Sequence, residues 1–264
     1  MISTRDGVVK FSEAGVGKAK MSTSRMFVLA FMAGLFIAFA GLASMAATIS
    51  ITVPSIAKLI TALIFPAGLA MVVTNGTELF TGDNLLIISV LDKRLQLRYM
   101  LKNWVVVYIG NLAGSIFFTA MCTWGHVYSM FDNDLARNVL ATATTKCNLT
   151  FTDAFIKAIF CNVLVCAAVM MSMVSESLPG KIIALYLPIM TFVICGFEHS
   201  VANMSYISGG LFINAQYGNL GVDVLGLNWY NFLVTNLVPV TLGNILGGSA
   251  LGVMYWFTYE RKTK

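Results

Sequence analysis

A glutamate and a histidine stand side by side at Glu198 and His199, in Gly-Phe-Glu-His at 196–199, inside a long apolar run. About 120 residues earlier a second apolar run is interrupted by Gly-Thr-Glu-Leu-Phe-Thr-Gly-Asp at 76–83, with the same Gly-x-Glu core. A charged carboxylate at the centre of a membrane helix costs roughly 2.5 to 3.5 kcal/mol, so neither stretch suits a plain lipid-facing helix. Two apolar segments broken by glycine and charge at corresponding places mark a transport site near the bilayer midplane. Breaks exposed to lipid would leave backbone groups unpaired at several kcal/mol each, so both must be buried in protein or line an aqueous cavity. The helix that restarts after each break aims its N-terminal dipole and free amides inward, which favours a small anion.

Within these breaks, Glu78 and Glu198 read as loop-orienting groups, their carboxylates folded onto the free amides of their own broken helices; proton carriage is the alternative. An imidazole at His199 can donate to an anion or lend it a proton near neutral pH, against the plainer reading of a satisfied core histidine. Thr81 offers a hydroxyl towards His199. Leu79 and Phe80, with Phe192 one to two turns before His199, are placed to close the path from either side, since apolar constrictions exclude hydrated ions; for each, ordinary packing is the alternative. Lys146 and Lys157 would gather anions at the outer mouth by focusing the field.

The elements that hold these residues are membrane spans. The chain has 264 residues, 58% hydrophobic and 11% charged, with a mean hydropathy of +0.79, whereas soluble domains carry roughly 25% charged residues. The net charge of +5 comes from short clusters between apolar runs, with no basic face interleaved with aromatics, so no nucleic-acid partner is expected. Residues 1–25 are too long and polar for the start of a cleaved signal peptide; an amphipathic surface helix and a disordered basic tail are both open. Cys122, Cys147, Cys161, Cys166 and Cys195 form no Cys-x-x-Cys and have no interleaved histidines, so no metal or cofactor is expected. Cys122 and Cys147 flank one loop, and their pairing is left open.

Six crossings follow: 26–49, a broken run 56–91, then 103–122, 154–173, a broken run 182–213, and 229–259. The first broken run divides into half-helices at 57–73 and 84–91, and 124–150 reads as a polar loop. Thirteen of the seventeen lysines and arginines fall on one side, which places both termini in the cytoplasm. The pattern Asn103, Gly110, Asn111, Gly114 recurs as Asn236, Gly243, Asn244, Gly247. Spans one to three therefore repeat as four to six. Because each half makes an odd number of crossings, the repeats are inverted. The expected organisation is an N-terminal segment at 1–25, one six-span domain at 26–259 with repeats about 26–123 and 152–259, and a cytoplasmic tail at 260–264. Other function classes are a membrane-embedded acid/base or redox enzyme, which lacks a ligand cluster, and an aquaporin-like neutral-solute channel, which lacks paired Asn-Pro-Ala motifs.

Four motifs in order then resemble the formate/nitrite transporter family: Glu78-Leu79-Phe80-Thr81-Gly82; Cys161-Asn162-x-Leu164-Val165-Cys166; Gly196-Phe197-Glu198-His199-Ser200 with Asn203; and Asn236-Leu237-x-Pro239 through Gly248. The resemblance implies an all-α, aquaporin-like six-span protomer with broken second and fifth helices, assembled as a homopentamer in the inner membrane of a prokaryote. It implies passage of small monovalent anions or their acids and no enzymatic activity. Carried over by position, Thr81 and His199 are the central pore pair. Leu79, Phe80 and Val165 form one constriction and Phe65 and Phe192 the other, Lys146 is the lysine near the pore, and Asn162 orients the loop. Thr-Gly-Asp-Asn at 81–84, with Asn75-Gly76-Thr77 before the core, is most similar to the hydrosulfide-channel branch, so hydrosulfide is expected first, with formate and nitrite open.

Overall fold

The computed structural model describes residues 1–260. Residues 261–264 of the expected tail, with Arg261 and Lys262, lie outside the described residues. The chain is all-helical there: α1 (Thr4–Lys20), α2 (Thr23–Ala46), α3 (Pro54–Thr74), α4 (Phe80–Leu91), α5 (Leu97–Trp124), α6 (Asp134–Cys147), α7 (Phe151–Val174), α8 (Leu178–Cys195), α9 (Ser200–Tyr217) and α10 (Asn231–Tyr259). Six of these, α2, α3, α5, α7, α8 and α10, are long and apolar enough to cross a membrane, as the ~30 Å hydrocarbon core requires.

The most extensive helix pairs are α2 with α5 and α7 with α10. Glycine makes both possible. A Cβ on Gly114 would lie 2.1 Å from the Phe31 carbonyl oxygen, and one on Gly247 would lie 2.1 Å from that of Ile159. These are the same contacts in the two halves, and small residues at such crossings let helix backbones meet without a side chain between them.

Both breaks begin alike. Gly76 follows α3 at φ +63° and Gly196 follows α8 at φ +68°, a left-handed turn that glycine enters at no steric cost and that ends a helix. Three residues on, Leu79 (φ −115°, ψ 119°) and His199 (φ −110°, ψ 118°) take the same extended conformation before α4 and α9 restart. The restart of α4 at Phe80 is four residues earlier than the expected 84. Gly82 and Asp83 look unsuited to a buried helix, but the Asp83 charge has a partner in α1, described below.

The N-terminal segment is a helix, which settles one open point. Ser3 caps it by accepting the Asp6 N–H, and Val8 and Phe11 pack with Leu85 and Ile88 of α4 and with Cys166 and Met170 of α7. Part of the loop at 124–150 is also helical: α6 carries a buried stripe of Leu135, Ala136, Val139, Leu140 and Ala143, an i, i+3/i+4 pattern that seats it on α9. Cys122 and Cys147 are both buried and free, so they do not pair.

Candidate functional site: a pore centre between two helix breaks

Each break is held by one asparagine. Asn111 of α5 accepts the Phe80 N–H (3.0 Å) and donates to the carbonyls of Ala30 (2.7 Å) and Glu78 (3.0 Å). Asn244 of α10 accepts the Ser200 N–H (2.9 Å) and donates to Ala158 (2.8 Å) and Glu198 (3.0 Å). The two sets match residue for residue. They correct the expectation that the Glu78 and Glu198 carboxylates fold onto these amides. A neutral amide offers acceptor and donors at once, so it closes an N–H and two carbonyls together, which an acceptor-only carboxylate cannot do.

The carboxylates bind lysines instead. Both oxygens of Glu198 accept from Lys146 Nζ of α6 at 2.9 Å, and Asn203 Nδ2 adds a third bond at 2.7 Å. On the other face Glu78 accepts from Lys18 Nζ of α1 at 3.0 Å, and the same ammonium bonds Asp83 at 2.8 Å. Burial by itself would lower the Lys18 pKa, but Asp83 and Glu78 outweigh it and raise it, so Lys18 stays charged. Lys146 is thus largely spent on Glu198. Lys58 and Lys157 make no ion pair among the described residues and carry the less compensated charge at this mouth; the Lys157 carbonyl also accepts the Glu198 N–H at 3.4 Å.

At the centre, Thr81 Oγ1 and His199 Nε2 lie 2.9 Å apart, both residues nearly fully buried. His199 Nδ1 accepts the Ala202 N–H at 3.0 Å as the cap of α9. An accepting Nδ1 carries no proton, so the neutral ring holds its proton on Nε2 and donates to Thr81. The threonine hydroxyl proton is then available to a solute. Forming the imidazolium would add a proton at Nδ1 and break the α9 cap, so of the two roles expected for His199 this conformation suits the neutral hydrogen-bond donor. The Thr81 carbonyl is fixed by Asn162 Nδ2 (3.1 Å) and Cys166 Sγ (3.4 Å), and Asn162 also donates to Asn84 Oδ1 (2.8 Å) and the Asn244 carbonyl (2.7 Å).

Two cavities approach this pair. One of about 470 Å³, on the α6 face, is lined by Lys58, Phe65, Lys146, Phe192, His199 and Tyr206 among others. Phe65 and Phe192 meet edge to face at 5.8 Å, and Phe192 stacks on His199 at 5.9 Å. The other, about 160 Å³ on the α1 face, is lined by Phe11, Lys18, Leu69, Leu79, Asp83 and Val169 among others. Lys157 lines a separate recess with Lys146 and Glu198. Phe80 and Val165 line neither of the two cavities. Val165 is buried, and Phe80 packs its ring on Tyr108 (4.9 Å) and Trp104 (6.4 Å) of α5, because it is the first residue of α4 and alternates away from Leu79. Sequence reasoning missed Lys18, Asp83, Asn203 and Leu69. It met Asn111 and Asn244 only as repeat markers, although two asparagines at equivalent places in apolar helices were the available signal for a buried polar clamp.

The sequence model of the formate/nitrite transporter family matches residues 6–257. The formate channel FocA of Escherichia coli (strain K12) is 37% identical over 261 residues, covering 95% of this chain and 92% of that one. A probable formate transporter of Methanothermobacter thermautotrophicus is also 37% identical, with 93% and 92% covered. Among solved structures, a pentameric formate channel with formate bound superimposes with TM-score 0.78 at 34% identity, covering 90% of this chain and 98% of that one, and an FNT family ion channel with TM-score 0.85 at 27% identity, covering 96% and 98%. With the inverted halves, the paired breaks and these matches along its length, the chain belongs to the formate/nitrite transporter family.

Proposed function

We propose that this protein is a membrane channel for small monovalent anions with formate as its substrate, assembled as a homopentamer with one pore in each protomer. The observation that carries the reading is the Thr81–His199 pair buried between two cavities, with apolar side chains on either approach. An anion entering from the α6 face is drawn by Lys58, Lys157 and the partly compensated Lys146, and sheds water between Phe65 and Phe192. At the centre it accepts the Thr81 hydroxyl, which His199 Nε2–H polarises, and it leaves past Leu79 and Leu69. The geometry calls for hydrogen-bond donation to an anion by neutral groups, worth about 1 kcal/mol or more per bond, rather than a proton handed over by His199. The basic clusters support an inner-membrane orientation with the α1 face in the cytoplasm.

Relatives named for formate, at 37% identity over nearly the whole chain, support formate over hydrosulfide. Of the residues behind the hydrosulfide resemblance, 75–77 and 81–84, Asp83 and Asn84 are engaged by Lys18 and Asn162 and so have a structural use of their own. The test is flux in proteoliposomes with formate, hydrosulfide and nitrite supplied in parallel. Formate is expected to pass fastest, and faster in wild type than in Thr81→Val. Faster hydrosulfide passage overturns the substrate, and silence towards all three overturns the channel.

A further inference from the structure

The two breaks match in backbone, in asparagine clamp and in lysine partner, but differ in charge. Asp83 of α4 and Asn203 of α9 each stand five residues after the break glutamate and four after the residue that precedes the restarted helix. On the α6 face one carboxylate, Glu198, meets one lysine and an amide, and its oxygens receive three hydrogen bonds. On the α1 face two carboxylates, Glu78 and Asp83, 2% and 1% exposed, share the single ammonium of Lys18. Fully ionised, that cluster would bury one uncompensated negative charge, which protein interiors avoid by retaining a proton.

The hydrogen bonds show the same deficit. Among the described residues Asp83 Oδ2 is buried with no hydrogen-bond partner, as are both side-chain polar atoms of Asn103 in α5, the residue that repeats as Asn236. In the other half Asn203 Nδ2 donates directly to Asn236 Oδ1 at 2.9 Å, whereas among the described residues no hydrogen bond joins Asn103 to the Asp83 carboxyl; the Asp83 carbonyl accepts from Trp104 Nε1 at 2.9 Å. One oxygen of the Asp83 carboxyl therefore receives no hydrogen bond among the described residues.

We infer that Glu78 and Asp83 form a carboxyl pair that holds one proton at the α1-side cavity, a titratable site distinct from Thr81 and His199. Around this pair among the described residues are Lys18 from α1, bonded to both carboxylates, and the Cys166 thiol from α7, bonded to the Thr81 carbonyl, with His199 beyond Thr81; from α5 the neutral Trp104 bonds the Asp83 carbonyl. The proton supplies the missing donor and brings the net charge of the cluster to zero. Its release leaves Lys18 with two carboxylates and turns the wall of this cavity net negative. Asp83 and Lys18 both line that cavity, so the proton exchanges with the solution on that side.

Infrared difference spectroscopy of the purified protein, titrated upward from mildly acidic pH, tests this without any reliance on transport. The starting pH is about 6, where exposed carboxyls, with pKa values near 4, have already ionised. Wild type is expected to show a protonated-carboxyl stretch that disappears as the pH rises. Asp83→Asn, which installs the residue type of the matching position, is expected to abolish it. Lys18→Met, which removes the positive charge, is expected to keep it to higher pH, and Glu198→Gln to leave it in place. Absence of such a band in wild type overturns the proposal, and so does its persistence in both Asp83→Asn and Glu78→Gln.

Discussion

In the proposed channel, Thr81 and His199 would join a role in the fold to a role in passage. Nδ1 of His199 caps α9, so the ring is locked in the tautomer that offers Nε2–H to Thr81, and the threonine hydroxyl is turned into a donor for whatever enters. Thr81→Val keeps the shape and removes that hydroxyl. It strands a buried N–H, and the folded state is expected to lose about 1–3 kcal/mol, read as a lower unfolding midpoint in detergent. Formate flux is expected to fall roughly tenfold, which is the rate equivalent of one hydrogen bond of about 1.4 kcal/mol at the barrier. Unchanged flux in a folded Thr81→Val protein would remove the hydroxyl from the path.

Helices carry the next level of the design, since each break needs a lysine from an amphipathic helix that is not itself a span: α1 supplies Lys18 and α6 supplies Lys146. Lys146→Met leaves the Glu198 carboxylate buried with only Asn203, and the expected cost is about 3–5 kcal/mol, as for other broken buried pairs. Glu198→Gln is milder, and the double variant is expected to recover more than half of the Lys146→Met loss in thermal unfolding; simple additivity would mean that the pair is not coupled. Gly247→Ala adds a methyl where 2.1 Å separates it from a carbonyl oxygen, so the α7–α10 pair must part, and a loss of more than about 2 kcal/mol is expected, near that for overpacked cores. The six spans and the two breaks were legible in the sequence because glycine and charge inside apolar runs admit few other readings. The repeat at Asn103–Gly114 and Asn236–Gly247 foretold the inversion. Lys18 was not legible, because a basic residue in a basic tail looks the same whether it is solvated or reaches into a break. The α6 stripe was hidden by its threonines and charges. The Phe80 ring direction depends on where α4 restarts, and that is set by Asn111 and Lys18, more than thirty residues away on either side.

At the level of the whole molecule, an inverted repeat makes the two mouths nearly equivalent in backbone, so any difference between the two directions must come from residues that break the match. Asp83 against Asn203 is one such residue, and it lies on only one side of the Thr81–His199 pair. If the Glu78–Asp83 pair releases its proton as pH rises, the α1-side cavity gains one negative charge. Placed about 8 Å from the path at an effective dielectric near 40, that charge costs a passing anion about 1 kcal/mol, a several-fold drop in entry. Formate stays ionised throughout the range from about pH 5 to pH 9, since its acid has the low pKa of a simple carboxyl group, so the proposed substrate does not itself change charge. Formate flux through oriented wild-type protein is therefore expected to fall several-fold as pH is raised on the α1 side, and raising it on the α6 side is expected not to reproduce that fall. Asp83→Asn, neutral with Lys18 and Glu78 at every pH in this range, is expected to hold the acidic-side flux throughout. An identical pH profile in the variant would assign the dependence to another group and leave the asymmetry of the two breaks without an effect on transport.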